Sequence, residues 1–321
     1  MKTKKNKSAN SFNMKLACSM AIAFWVIIFM TNCSQINKLI NRNNVIVRLA
    51  SVDNNVCKKL YGDVVIYAIF VDTQETQPWS EYDIKSTLDS LKKAKCWIES
   101  KAHENGIPLN IKIAYHQKDK KIPIALNFPK KTLSSTLFQK NLNSGYKATC
   151  KWADKIAAVA AKATSPDTAA IITTKNDLSN KERLIARLRD MYKTDNVALI
   201  YFINNYYKDE VSVTFNINIS SDVEYSIVSF KDPSVIAHEF LHLFGAWDLY
   251  ITPYDKNNKH IIKQKEFAMK EFPNEIMAFA YRSIDSLNIS PFTKYCIGWE
   301  TALDDKYSKM IIGKHLRPEK Y

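Results

Sequence analysis

Glycine is scarce in this sequence, because only 6 of the 321 residues are Gly. Average usage of about 7 per cent would give roughly 22. The six glycines stand singly, so no G-x-G or Walker pattern is present, and the glycine-rich nucleotide-binding loops are excluded. The balance of 46% hydrophobic and 24% charged residues also excludes a disordered or collagen-like chain.

The sequence also lacks a C-x-x-C pair, which argues against a zinc site made of thiolates. Two of its six cysteines, Cys18 and Cys33, lie in the amino-terminal segment discussed next. The remaining four are Cys57, Cys96, Cys150 and Cys296. Four cysteines allow three full disulfide pairings, and all three stay open at this stage.

Residues 1–33 have the features of an export signal. Five lysines and no acidic residue precede an almost continuous apolar run over residues 16–30. The run is shorter than the roughly 20 apolar residues of a membrane-spanning helix. It is followed by Thr-Asn-Cys, which resembles a bacterial lipoprotein cleavage site with Cys33 as the lipidated residue. We therefore expect a lipid-anchored protein of the bacterial cell envelope, with an uncleaved anchor or ordinary secretion as alternatives.

The positive charge is dispersed along the chain. The formal net charge is +14, and removal of the five signal lysines leaves 41 basic residues against 32 acidic ones, a net charge of +9. No basic block is long enough for a nucleic-acid-binding arm, so we expect no nucleic-acid partner. Solubility and weak attraction to anionic surfaces account for the excess of basic over acidic residues.

The order of predicted elements favours an α/β fold. Residues 34–60 are polar and rich in Asn at their start, and we interpret them as a tether or short pro-segment before one domain at 61–321. Apolar runs predict strands at 64–71, 109–115, 169–173, 197–203, 211–219 and 225–230. Helical periodicity predicts helices at 80–103, 146–163 and 179–192. The alternation of the two predicts a sheet covered by helices.

Residues 238–242 read HEFLH and carry the strongest chemical signal. His238 and His242 are four residues apart, on one helix face, so both imidazoles can bind one Zn²⁺. Glu239 is then close enough to take a proton from a water at the metal. The preceding Asp232-Pro233 predicts a cap and a proline in the first turn. The non-functional alternative is a pair of hydrogen-bonded core histidines.

A catalytic zinc site takes a third protein ligand, and the next residues can supply it. Gly245 suits the left-handed conformation that ends a helix and redirects the chain. Asp248 then offers a carboxylate oxygen three residues later. In a chain with so few glycines, a Gly at position 245 favours the interpretation of residues 238–248 as a metal site.

The eleven residues 238–248, HEFLHLFGAWD, resemble the metzincin signature H-E-x-x-H-x-x-G-x-x-H, with Asp248 in place of the last His as in snapalysin-like proteases. Met277, 29 residues later, resembles the methionine turn of that clan. The resemblance implies a zinc-dependent endopeptidase in which Glu239 assists attack of zinc-bound water on a peptide bond. It also implies a twisted mixed sheet, with an edge strand over the cleft for which residues 211–219 are the candidate.

Further roles follow only from the resemblance. Tyr281 would stabilise a developing oxyanion as metzincin tyrosines do, or be a packed helix tyrosine. Cys57 would cap the zinc in a latent form, or be half of a disulfide. The expected partners are a protein or peptide substrate, and the membrane through the amino-terminal lipid or anchor. We expect a monomer.

Two other interpretations remain open. In a gluzincin-type peptidase Glu275 would be the third ligand, because residues 274–280, NEIMAFA, resemble an N-E-x-x-x-A helix of that clan. This arrangement leaves Gly245 and Asp248 without a role. A non-catalytic envelope binding protein would keep zinc for structure, although such a site needs no general base like Glu239. Weaker candidate ligands in a polar loop are Tyr254, Asp255 and His260.

Overall fold

The central strand of the fold is a run of eleven residues, β1 (Gly62–Asp72), in the computed structural model. The structure describes residues 59–73, 76–116, 123–127, 142–164, 179–204, 212–215, 223–229, 231–252, 255, 258–308 and 310, all within one unit that spans 49–321. The export signal with Cys33, most of the tether with Cys57, the predicted strand 169–173 and Tyr254 lie outside the described residues.

Within the described part of the chain, six strands form one open mixed sheet in the order β2–β1–β4–β6–β5, with β3 paired to the end of β1. The other strands are β2 (Leu109–Tyr115), β3 (Ile124–Ala125), β4 (Asn196–Ile203), β5 (Val213–Phe215) and β6 (Tyr225–Val228). All of the pairings are parallel except that of β5 with β6, which is antiparallel. The central strands β1 and β4 are buried along almost their whole length, as continuous apolar runs in a parallel sheet require.

Helices connect and cover the strands. They are α1 (Glu81–Glu104), α2 (Leu142–Thr164), α3 (Asn180–Tyr192), α4 (Pro233–Leu243), α5 (Lys259–Glu271), α6 (Ile276–Phe279), α7 (Pro291–Cys296) and α8 (Asp305–Ser308). A capping box begins α1, because Ser80 Oγ accepts from the Asp83 main-chain N–H and the Asp83 carboxylate accepts from the Ser80 N–H. Helix α1 packs against α4, and α4 packs against β5 and β6.

The structure confirms the α/β class and most of the predicted elements within the described residues. Two elements have no counterpart among the predicted strands and helices. They are the short strand β3 and helix α5, which includes His260 from the predicted polar loop. Helix α5 buries only Ala268, so it lacks the wide apolar face on which helix prediction depends. No helix among the described residues has the length and apolar character needed to span a bilayer.

The beginning of β1 is attached to the end of α7. Leu60 N–H donates to the Ile297 carbonyl at 3.0 Å, and Trp299 Nε1 donates to the Leu60 carbonyl at 2.6 Å. Leu60 is fully buried, so the core already includes the last residue of the predicted tether.

Candidate metal centre

Helix α4, which follows β6 and packs against β5 and β6, carries the HEFLH residues. Pro233 occupies its first turn, as predicted, and Asp232 is at the N-cap position. The Asp232 side chain makes no capping hydrogen bond, contrary to the prediction. His238 and Glu239 are only 4% and 5% exposed, so this apolar helix buries polar groups that need partners.

The three candidate ligand atoms converge on one point. His238 Nε2 and His242 Nε2 are 3.0 Å apart, and Asp248 Oδ1 is 3.2 Å from the first and 3.0 Å from the second. Two atoms bound to one tetrahedral zinc, each 2.0–2.1 Å from it, are about 3.3 Å apart. Among the described residues, these three form the group of His, Cys, Asp or Glu side chains with ligand atoms gathered closely enough to hold a metal. Their spacing and donor set fit Zn²⁺.

Main-chain carbonyls orient both imidazoles. His238 Nδ1 lies 3.2 Å from the Ile276 carbonyl oxygen, and His242 Nδ1 lies 2.7 Å from that of Ala246. A carbonyl accepts only, so each Nδ1 carries a proton, which leaves Nε2 as the atom of each ring that would bind a metal at the shared centre. Such outer partners of metal-binding histidines set the ring orientation and the tautomer.

Gly245 ends α4 in the predicted left-handed conformation, with φ of 99°. Its N–H donates to the His242 carbonyl and the Ala246 N–H donates to the Leu241 carbonyl, which together form a Schellman motif. A Cβ atom at this position would lie 3.1 Å from the Cys296 carbonyl oxygen. Both the backbone angle and the close approach of α7 therefore favour glycine where the chain turns towards Asp248.

The cluster strongly attracts positive charge. Burial opposes protonation of His242, but the adjacent Asp248 carboxylate outweighs it and raises the pKa of His242 to about 9. Burial likewise opposes charge on Asp248, yet the two imidazoles hold the pKa of its carboxyl well below its usual range. Burial raises the pKa of Glu239, although the histidines and a hydrogen bond from Thr214 act in the opposite direction.

Glu239 has two hydroxyl neighbours that the sequence interpretation missed. Thr214 Oγ1 on β5 lies 2.7 Å from Glu239 Oε2 and 2.9 Å from the Glu239 carbonyl oxygen. Ser226 Oγ on β6 lies 2.7 Å from Thr214 Oγ1 and 3.2 Å from the same carbonyl. Thr214 and Ser226 are opposite each other in the antiparallel β5–β6 register, which no local sequence pattern reveals.

Met277 lies on α6, fully buried, in the segment that orients His238. Its carbonyl oxygen accepts from the N–H of Leu249, the residue after Asp248, at 3.0 Å. Glu275 lies outside the three-residue cluster. Its carboxylate accepts from the Met277 N–H at 3.2 Å and from donors on Ser290 and Thr293 at the start of α7.

The structure places Tyr281 on the surface, 73% exposed, with its ring 6.2 Å from that of Phe279. The tyrosine beside the cluster is Tyr250, whose ring centroid lies 6.1 Å from that of His238. Sequence interpretation missed Tyr250, although its position two residues after Asp248 could have drawn attention to it.

The other candidate ligands have separate partners. Asp255 forms an ion pair with Lys265 at 2.7 Å and accepts from Thr252, and His260 lies 2.9 Å from Gln264 on the exposed side of α5. No disulfide joins the described cysteines, Cys96, Cys150 and Cys296, to one another, although export would permit one.

Comparison of this chain with protein-family models, with curated protein sequences and with solved structures finds no match.

Proposed function

We propose that this chain is a zinc-dependent endopeptidase with a metzincin-like site. The observation that carries the proposal is the convergence of His238, His242 and Asp248 within 3.2 Å of one another, with the buried carboxyl of Glu239 beside them. Three protein ligands leave one zinc position for water or substrate, which is the arrangement of catalytic rather than structural zinc sites.

The roles of the residues follow from their positions. Zinc bound there would acidify a coordinated water and polarise a substrate carbonyl. Glu239 would accept the proton of the attacking water and deliver it to the leaving amine, and burial, which raises the pKa of its carboxyl, favours this role. Strand β5, at the end of the sheet order, would pair with an extended peptide substrate.

The gluzincin-type alternative has less support. The Glu275 carboxylate accepts one hydrogen bond from the first turn of α6 and two from the start of α7. Asp248 Oδ1, in contrast, is in contact with both imidazoles. We therefore assign the third ligand to Asp248 and a structural role to Glu275.

We also propose that the protein is exported and anchored in the bacterial envelope through a lipid on Cys33. It acts there as a monomer on protein or peptide substrates and binds no nucleic acid. The support is the lysine-rich and apolar segment before Cys33. Palmitate labelling of producing cells should mark the wild-type protein and leave Cys33→Ala unlabelled. Labelling of Cys33→Ala would assign the lipid to another residue.

The function is tested with purified full-length protein and unfolded casein. The wild type should cleave casein only with zinc, and a chelator should abolish cleavage. Glu239→Gln should bind one zinc per chain but lose about 10²- to 10⁴-fold in kcat, the usual contribution of a general acid–base group. Glu81→Gln, the same change at an exposed site on α1, is the matched control and should be fully active. Zinc binding without cleavage of any peptide would favour the non-catalytic alternative.

A further inference from the structure

We propose that Thr214 is the positioning residue of Glu239, holding its carboxylate at the metal centre from the edge strand β5. This inference rests on the proposed function. Thr214 Oγ1 contacts the Glu239 carboxylate at 2.7 Å and is 2.9 Å from the carbonyl oxygen of the same residue. One hydroxyl therefore lies against both the side chain and the main chain of the proposed base.

The direction of these hydrogen bonds follows from the ionised form of the Glu239 carboxylate, which only accepts. Ser226 Oγ and Thr214 Oγ1 are 2.7 Å apart, and Thr214 Oγ1 and Glu239 Oε2 are also 2.7 Å apart. A carboxylate only accepts, so Thr214 donates to Glu239 and is free to accept from Ser226. Successive hydrogen bonds of this kind polarise and strengthen one another in a buried site. The two strands thus provide a short chain of donors that ends at the carboxylate.

The hydrogen bond matters because of what surrounds the carboxylate. Glu239 is buried and adjacent in sequence to His238, so zinc bound at the cluster would attract its carboxylate towards the ligands. A glutamate that entered the coordination sphere would no longer be a base. Thr214 holds the carboxylate towards β5, beside the cluster.

The location of Thr214 also links the base to the substrate. Among the described strands, β5 is the last in the sheet order and pairs with β6 on one side, so its other side is where an extended peptide would add. The residue that aims Glu239 thus belongs to the strand that would hold the scissile bond. A displacement of about 1 Å between reacting groups is enough to cost roughly 10²-fold in rate.

The test compares three threonine variants in full-length, zinc-loaded protein. Thr214→Val keeps the size and branching suited to a strand but lacks the hydroxyl, and Thr214→Ser restores the hydroxyl. Thr194→Val is the matched control, because it removes a hydroxyl that donates to the Asp63 carbonyl from just before β4, two strands from β5. We expect Thr214→Val to lower kcat by about 10- to 100-fold with KM within about twofold. Thr214→Ser should recover most of the loss, and Thr194→Val should have the wild-type kcat.

A second measurement does not depend on turnover. Acetohydroxamic acid chelates zinc through two oxygens and hydrogen-bonds a neighbouring carboxylate, so its affinity reports where Glu239 lies. Thr214→Val should bind it about 10-fold more weakly than the wild type or Thr214→Ser, with one zinc retained per chain. Equal hydroxamate affinity and equal kcat in Thr214→Val and the wild type would overturn the inference, as would a loss that tracks zinc content. If the wild type bound zinc and cleaved nothing, the proposed function would fail while hydroxamate binding still decided the role of Thr214.

Discussion

His238 Nδ1 lies 3.2 Å from the main-chain oxygen of Ile276, a residue 38 positions further along the chain. The next residue, Met277, accepts a hydrogen bond from Leu249 through its own carbonyl. The turn at residues 276–277 therefore holds both the first candidate ligand and the segment that follows the third. The buried Met277 side chain anchors this turn in the core. The methionine therefore supports the carbonyl that orients His238.

Replacement of Met277 should affect both stability and metal binding. Met277→Ala leaves a cavity under the turn and should reduce the free energy of unfolding by about 2–5 kcal/mol, measured by urea denaturation. It should also weaken zinc binding, measured by competition with a chromophoric chelator, because the Ile276 carbonyl loses its support. Met277→Leu keeps the volume and should cost less than about 1.5 kcal/mol. Unchanged zinc affinity in a destabilised Met277→Ala would show that the turn does not orient His238.

The identity of the third ligand can be decided by zinc content after dialysis. Asp248→Ala removes an oxygen from the cluster and should retain much less than one zinc per chain. Glu275→Gln should retain the full amount and lose about 1–3 kcal/mol of stability, because it disturbs hydrogen bonds between buried groups. The opposite pattern would restore Glu275 as the ligand.

Gly245→Ala should be more harmful than an alanine at another glycine of positive φ. Gly106 has φ of 68° and open space where a Cβ would lie, so Gly106→Ala should cost about 1–2 kcal/mol from the backbone angle alone. Gly245→Ala adds a contact of 3.1 Å with the Cys296 carbonyl, which belongs to main chain that must move. We expect a larger loss of stability in denaturant titrations and weaker zinc binding. Equal losses of stability in the two variants would show that α7 moves away from the added Cβ without destabilising the fold.

Stability should fall in mild acid because of His116. This residue at the end of β2 is buried, its ring nitrogens have no hydrogen-bond partner among the described residues, and burial lowers its pKa. Below about pH 6.5 the unfolded state therefore binds more protons than the folded state, and the free energy of unfolding decreases as the pH falls. His116→Phe should show a flatter dependence between about pH 7 and pH 5. An identical slope would assign the acid sensitivity to other groups.

Local patterns in the sequence were sufficient for much of the fold and for selecting the three side chains that the structure brings together. The apolar run of β1 and the eleven residues 238–248 are both short, continuous segments. Their local structure could therefore be predicted from the spacing of residue types alone. Thr214 could not be assigned in this way, because its neighbour Ser226 is defined by strand register. Tyr250 likewise acquires significance only through the fold, which brings its ring near that of His238.

The link between Leu60 and Trp299 has a consequence for the order of folding. The two residues are separated by 239 positions, yet the indole N–H of one donates to the carbonyl of the other beside the first strand. Contacts between distant parts of a chain form slowly, because a long loop must close before the contact stabilises it. During synthesis, β1 therefore leaves the ribosome long before Trp299, and the native core cannot be completed until the carboxyl-terminal segment that contains Trp299 has emerged.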